Sequence, residues 1–175
     1  SFTDIVDGFD PLTGLTFAGA NDFAPKTLTV SGITTANDGY LFQCQLDFFL
    51  NSNVALLTVN TPVQIVTNPD LEETVCYTGG STTFNATASG DYSSIQWQYS
   101  ADGTSGWASV VNGTPAGATY TNATTNTLGV TTTTGGYYRA NFVGTSPCAN
   151  VASNAGQILI NTPNVGVTAS STSFC

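Results

Sequence analysis

Ile95-Gln96-Trp97-Gln98-Tyr99-Ser100-Ala101-Asp102-Gly103 is the stretch on which the reading of this chain turns. Ile95, Trp97 and Tyr99 alternate with Gln96 and Gln98, and a period of two places the three large side chains on one face of a strand. Asp102-Gly103 then signals a hairpin turn, because Gly accepts positive φ and Asp hydrogen-bonds its own backbone. Trp107–Val111 reads as the return strand. Residues 95–111 therefore predict a hairpin with one buried face, and Trp97 sits at the centre of whatever packs on it.

Outward from the hairpin the same pattern recurs. Val63–Thr67 reads as an edge strand. Gly80–Ser89 alternates, with Phe84, Ala86 and Ala88 against Thr83, Asn85 and Thr87. Thr127–Thr132, Gly136–Val143 and Gly156–Asn161 complete about seven or eight short strands, the number expected of a sandwich. Composition agrees: the chain is 41% hydrophobic, rich in Val, Ile, Phe and Tyr, and holds no Met. β-branched and aromatic side chains suit a pleated surface, while Gly, Asn and Ser serve the turns. Helices should be scarce. The predicted fold is an all-β sandwich with Trp97, Leu128 and Tyr137 as candidate core residues.

The chain also repeats itself. Ser52-Asn53-Val54-Ala55-Leu56-Leu57-Thr58-Val59-Asn60-Thr61-Pro62 aligns without gaps on Ser153-Asn154-Ala155-Gly156-Gln157-Ile158-Leu159-Ile160-Asn161-Thr162-Pro163, 101 positions later. Thr27-Leu28-Thr29-Val30 matches Thr127-Leu128-Gly129-Val130 at 100, Val75-Cys76 matches Phe174-Cys175 at 99, and Gly39-Tyr40 matches Gly136-Tyr137 at 97. Ordered matches near one spacing mark tandem units of about 100 residues, the size of one sandwich domain. Residues 1–62 are then expected to be the C-terminal part of one repeat, 63–162 a complete repeat, and 163–175 the start of another. The parent chain is expected to extend beyond both ends.

Charge narrows the function classes. Eleven acidic and two basic residues give a formal net charge of −9, and only 7% of residues are charged. Such a surface repels nucleic-acid phosphates, and Lys26 and Arg139 are too few for a basic patch. No run of about 18 apolar residues marks a membrane helix. There is no His and one Lys, whereas acid–base and nucleophilic catalysis usually draw on those side chains. The expectation is a non-enzyme without cofactor. Four cysteines at long intervals read as disulfides in an oxidising, extracellular compartment rather than as a zinc site, which wants close Cys pairs or His.

The Gln-Trp-Gln-x-Ser-x-Asp-Gly … Trp run from Gln96 to Trp107 resembles the immunoglobulin-like repeats of very large surface adhesins of Bacteroidetes, including the gliding-motility adhesins. Gly136-Tyr137-Tyr138-Arg139 and the Ser-Asn … Thr-Pro closing strand share the resemblance, which covers residues 76–162 well and 1–62 loosely. It implies tandem immunoglobulin-like repeats exported by the type IX secretion route to the outer surface and forming a filament, with no catalytic residues to carry over. The immunoglobulin pattern places a buried Trp on the third strand, and Cys76 and Cys148 are the pair bracketing Trp97 within the complete unit. A Cys76–Cys148 disulfide is expected on that ground, with Cys44 and Cys175 paired outside these 175 residues. Asp38-Gly39-Tyr40-Leu41-Phe42-Gln43-Cys44 resembles the immunoglobulin strand ending in aromatic, one residue, Cys. Gly136–Asn141 lacks that Cys, so the staple of the complete unit is a variant one.

Other chemistry is weighed against plainer readings. Asp4, Asp7 and Asp10, and Asp70, Glu72 and Glu73 near a repeat junction, are oxygen clusters of the kind calcium takes; acidic loops without metal are commoner. Tyr99, Tyr120 and Tyr138 could stack on sugars, but large rings in a small domain usually fill its core. Asn85-Ala86-Thr87, Asn112-Gly113-Thr114 and Asn122-Ala123-Thr124 match the glycosylation sequon. The expected function is a structural or adhesive repeat of a giant surface adhesin, with neighbouring repeats, surface glycans or other cell-surface proteins as partners. The alternatives are a carbohydrate-binding module of a secreted enzyme and a subunit of a noncovalent filament.

Overall fold

The computed structural model describes residues 2–20, 27–46 and 50–162. Lys26, Cys175 and the segment 163–175 lie outside the described residues. The chain divides into two compact units, Ser1–Thr61 and Pro62–Cys175. Apart from one 3-10 turn at Thr35–Asn37, the regular structure of the described residues is all strand.

In the first unit, β1 (Gly8–Phe9), β2 (Thr16–Ala18) and β3 (Thr29–Ser31) form an antiparallel sheet in that order, with Phe17 opposite Val30. Two short antiparallel pairs follow: β4 (Leu41–Phe42) with β7 (Ala55–Leu56), and β5 (Gln45–Leu46) with β6 (Leu50–Asn51). Leu15 and Phe17 are buried, and the Phe17 ring meets Phe42 edge-on at 6.4 Å. Asn37, also buried, donates through Nδ2 to the Thr13 carbonyl and accepts the Thr34 N–H.

The second unit begins with β8 (Gln64–Thr67), β9 (Glu72–Cys76), β10 (Gly80–Asn85), β11 (Thr87–Ser89), β12 (Tyr92–Ser100) and β13 (Ala108–Ser109). It continues with β14 (Thr119–Thr121), β15 (Thr127–Thr132), β16 (Gly136–Gly144), β17 (Val151–Ala152) and β18 (Gly156–Asn161). One layer holds β10-β15-β14 and the pair β11-β8; the other runs β13-β12-β16-β18-β9, with β17 beside β16. All pairings are antiparallel except β9 with β18. Between the layers lie Phe84, Trp97, Leu128, Val130, Tyr138, Ala140, Phe142 and Ile158, all nearly inaccessible to solvent. The fold is an all-β, immunoglobulin-like sandwich.

Several elements differ from the sequence reading. Residues 101–107 separate β12 from β13, in place of a two-residue turn, and the return strand is only Ala108–Ser109. The run Gly80–Ser89 breaks at Ala86, whose N–H reaches the Asn126 carbonyl at 2.9 Å. Beyond that break β11 leaves β15 and pairs with β8. The acidic stretch before Cys76 forms strand β9 and not a loop. The chain enters it through Asn68-Pro69, where the Asn68 Oδ1 accepts the Asn154 N–H at 2.8 Å. Proline lacks a ladder donor, so the chain changes layers here: β8 serves one sheet and β9 the other.

Candidate functional site

The second unit is organised around its aromatic centre. Alternation along β16 sends Gly136, Tyr138, Ala140 and Phe142 inward and Tyr137, Arg139 and Asn141 outward. Phe84 on β10 lies 5.5 Å from the Tyr138 ring and 6.4 Å from Trp97, both stacked. Tyr99 and Tyr120 flank Tyr138 at 5.3 and 6.1 Å. The Trp97 indole N–H donates to the Thr125 carbonyl at 2.8 Å, satisfying the one polar atom of a fully buried ring. Burial pushes the Tyr138 hydroxyl well above its ordinary pKa, with the Tyr120 hydroxyl adding to the shift. Burial also raises Tyr120.

Tyr137 was expected in this core and is not there. It projects from the other face of β16, half-buried, with its ring over Gly103. A Cβ at Gly103 would lie 2.8 Å from Tyr137 Cδ1, so the close approach and the positive φ of +74° both call for glycine. Tyr138, considered above as a sugar-stacking ring, is wholly inaccessible, and Tyr99 and Tyr120 are packed against the core. Tyr138 therefore offers no ring face as a platform, and Tyr99 and Tyr120 are half-buried.

The proposed Cys76–Cys148 disulfide is also not formed. Glu73 on β9 lies opposite Ile158, which lies opposite Gly136, so Cys76 sits beyond the first residue of β16. Cys148 follows the last residue, Gly144, in a turn closed by its own N–H to the Thr145 carbonyl. Eight steps along a strand are about 26 Å, whereas a disulfide needs Cα atoms within about 7 Å. The two cysteines belong to opposite ends of the sandwich, and Cys76 is an exposed thiol. Cys44 is exposed in the first unit.

The acidic clusters are dispersed rather than gathered. Glu72 and Glu73 are consecutive in β9 and so face opposite sides; Glu73 accepts the Thr82 hydroxyl at 2.8 Å. Asp7 accepts the Ala20 N–H at 2.7 Å. Asp10 caps its own turn, accepting the Thr13 hydroxyl and the Leu12 N–H, which hold its pKa below the usual carboxylate value. Among the described residues no three His, Cys, Asp or Glu side chains are grouped to hold a cation. A shallow recess at the Cys76 end is lined by Cys76, Tyr77, Thr78 and Asn161, and these supply no carboxylate, imidazole or amine.

The 101–107 loop is anchored by Asp102. Its carboxylate accepts the Ser105 hydroxyl at 2.6 Å, the Ser105 N–H at 2.7 Å, the Thr104 N–H at 2.8 Å and the Ser100 hydroxyl at 3.0 Å. These bonds, the Ser105 hydroxyl foremost, hold its pKa far below the ordinary carboxylate range. Beside the loop, on the outer face of the six-stranded sheet, Arg139 lies over the Trp107 ring with Cζ 4.2 Å from the centroid. Arg139 Nε also donates to Gln98 Oε1 at 2.8 Å, across the register pair Gln98–Arg139. Trp107 and Arg139 figured in the sequence reading as a strand residue and a stray cation. Their contact depends on the loop path, which periodicity does not encode.

The fold and its aromatic centre define an immunoglobulin-like sandwich module. The model of the family described as a domain of unknown function, DUF8696, matches residues 68–162, and the chain belongs to that family. No curated protein matches the chain. Two solved structures are similar at 10% identity. One is a chimeric titin Z1Z2 functionalised with an exogenous KLER peptide from decorin (TM-score 0.39, covering 59% of this chain and 98% of that one). The other is a mutant Ig complex of titin with obscurin-like 1 (TM-score 0.41, covering 61% and 100%). No helix among the described residues is long and apolar enough to cross a membrane.

Proposed function

We propose that this chain is a load-bearing spacer or adhesive repeat within a very large bacterial cell-surface protein of the gliding-adhesin type, exported by the type IX route. The observation that carries the reading is the internal repetition of about 100 residues, the length of one sandwich. Repeats follow one another in the same polypeptide, and the filament presents a binding tip elsewhere. The sparse, acidic surface keeps neighbouring filaments apart. On this reading the module is a passive one, and its buried aromatics set its resistance to unfolding.

The outer-face trio Gln98, Trp107 and Arg139 favours one second reading, a glycan-binding module, since an aromatic ring beside amide and guanidinium donors is the chemistry that sugars take. Two measurements separate the readings. Antibody to residues 62–162 should stain intact source cells and detect a polypeptide above about 300 residues, three repeats long. A parent shorter than that overturns the array. A glycan array probed with the chain should stay blank for a spacer, and a hit lost on Trp107→Ala establishes the second reading instead.

A further inference from the structure

From β2 onward, the first unit reproduces strand pairings of the second half of the second unit. Phe17 opposite Val30 in β2–β3 corresponds to Tyr120 opposite Val130 in β14–β15. Leu41–Leu56 and Phe42–Ala55 in β4–β7 correspond to Tyr137–Gln157 and Tyr138–Gly156 in β16–β18. The ring pair follows: Phe17–Phe42 at 6.4 Å, Tyr120–Tyr138 at 6.1 Å.

A serine motif fixes the register. The Ser52 hydroxyl accepts the Cys44 N–H at 3.0 Å and donates to the Asn53 carbonyl at 2.8 Å, while the Ser52 N–H reaches the Cys44 carbonyl at 2.8 Å. Ser153 makes the same three bonds, at 3.0, 2.8 and 2.8 Å, with Ala140 and Asn154. Cys44 thus occupies the place of Ala140. The sequence match Gly39-Tyr40 with Gly136-Tyr137 hides this equivalence by one residue. Leu57 accepts from the Gly39 N–H and donates to the Tyr40 carbonyl, a bulge in which two residues face one.

The two copies of this face differ in what covers them. In the second unit Val130, Ala140, Gly156 and Ile158 are buried, beneath β10 on one side and β12 on the other, with Trp97 opposite Ala140. Their counterparts Val30 and Leu57 are half-exposed, and Cys44 and Ala55 are exposed. Apart from the bulge at Leu57, the strand pairing is shared, and among the described residues β10 and β12, which flank β15 and β16, have no counterpart beside β3 and β4.

We propose that this open face of β3, β4 and β7 is a docking site for a pair of strands of the same repeat type, the counterparts of β10 and β12. The pair adds to β3 as β10 adds to β15, and to β4 as β12 adds to β16. It lays a phenylalanine on Phe42, as Phe84 lies on Tyr138, and sets a tryptophan opposite Cys44, as Trp97 lies opposite Ala140. The occupant is identified by continuity with the second unit, where the same strands cover the same face. The inference rests on the repeat reading above, but its failure would leave a long, surface-exposed parent polypeptide standing.

The test places a second copy of residues 62–103, with its own Cys76→Ser, ahead of Ser1 and follows iodoacetamide alkylation of Cys44 by mass spectrometry, with the exposed Cys76 of the second unit as internal reference. The same segment is also titrated in as a separate peptide, which covers the case where the extended chain does not fold. Cys44 should be alkylated at least about tenfold more slowly once covered, with Cys76 unchanged. Trp97→Asp in the added copy should restore the original rate. A Cys44 rate unchanged in both formats, or protection that survives Trp97→Asp, overturns the proposal.

Discussion

Replacing Tyr138 and Tyr137 one at a time by alanine tests the packing directly, because the two neighbours on β16 have the same chemistry and opposite surroundings. Tyr138 is fully buried and its ring lies against Phe84, Tyr99 and Tyr120 at 5.5, 5.3 and 6.1 Å. Truncating a buried aromatic costs about 3–5 kcal/mol, counting lost transfer energy and the cavity left behind. Backbone strands pinned at both ends by the ladder leave that cavity little room to collapse. Tyr137 is half-buried over Gly103, and losing its partial burial costs about 1 kcal/mol. At about 4–8 °C per kcal/mol for a domain of this size, Tyr138→Ala should lower the melting point of the second unit by about 12–40 °C. Tyr137→Ala should lower it by less than about 8 °C by the same conversion. Tyr138→Phe separates bulk from hydroxyl: its 3.5 Å contact to the Tyr120 hydroxyl is weak, so the loss stays below about 1.5 kcal/mol. Calorimetry with tryptophan fluorescence reads all three. Equal losses for Tyr137→Ala and Tyr138→Ala, or a larger one at Tyr137, would refute the inward parity of β16.

Further outcomes follow from the loop, the cysteines and one tight glycine. Asp102 has a depressed folded pKa, so its contribution to loop order is present above the unfolded value of 3.8 and is lost only as pH falls through the lower folded value. Protection of the Thr104 and Ser105 amides, taken as the ratio of intrinsic to observed hydrogen-exchange rate, should persist as pH falls through 4 in the parent chain and be lost in Asp102→Ala. A disulfide closing a loop of about 70 residues would contribute about 4 kcal/mol; with Cys76 and Cys148 at opposite ends, reductant should leave the urea midpoint of the second unit unmoved. Gly156→Ala would press a methyl onto the Asp70 carbonyl and to within 2.6 Å of Phe84 Cε1. Backbone cannot yield there as a flexible side chain can, so a loss of at least about 1–3 kcal/mol is expected in denaturant titration.

Much of the sandwich was legible because alternation survives in a single sequence. Thr127–Thr132 and Gly156–Asn161 are strands with those same bounds, and the Ile95–Tyr99 pattern lies within β12. The choice between Tyr137 and Tyr138 was also encoded, since Ala140 and Phe142 share the parity of Tyr138. The match of Gly39-Tyr40 to Gly136-Tyr137 pointed the other way. A bulge adds one residue to a strand, and one residue exchanges its two faces. Strand β9 escaped because Glu72-Glu73-Thr74-Val75-Cys76 carries one clear apolar residue, and its pairing with β18 joins segments more than 80 positions apart.

By itself the sequence determined the period of two, the turn punctuation and the recurrence near 100 residues, all carried by neighbours along the chain. Tertiary structure alone decided which ends of the sandwich Cys76 and Cys148 reach, which ring faces Trp97, and that Arg139 rests on Trp107. Those depend on strand direction, bulges and loop path, quantities set by packing between distant segments and invisible to local spacing.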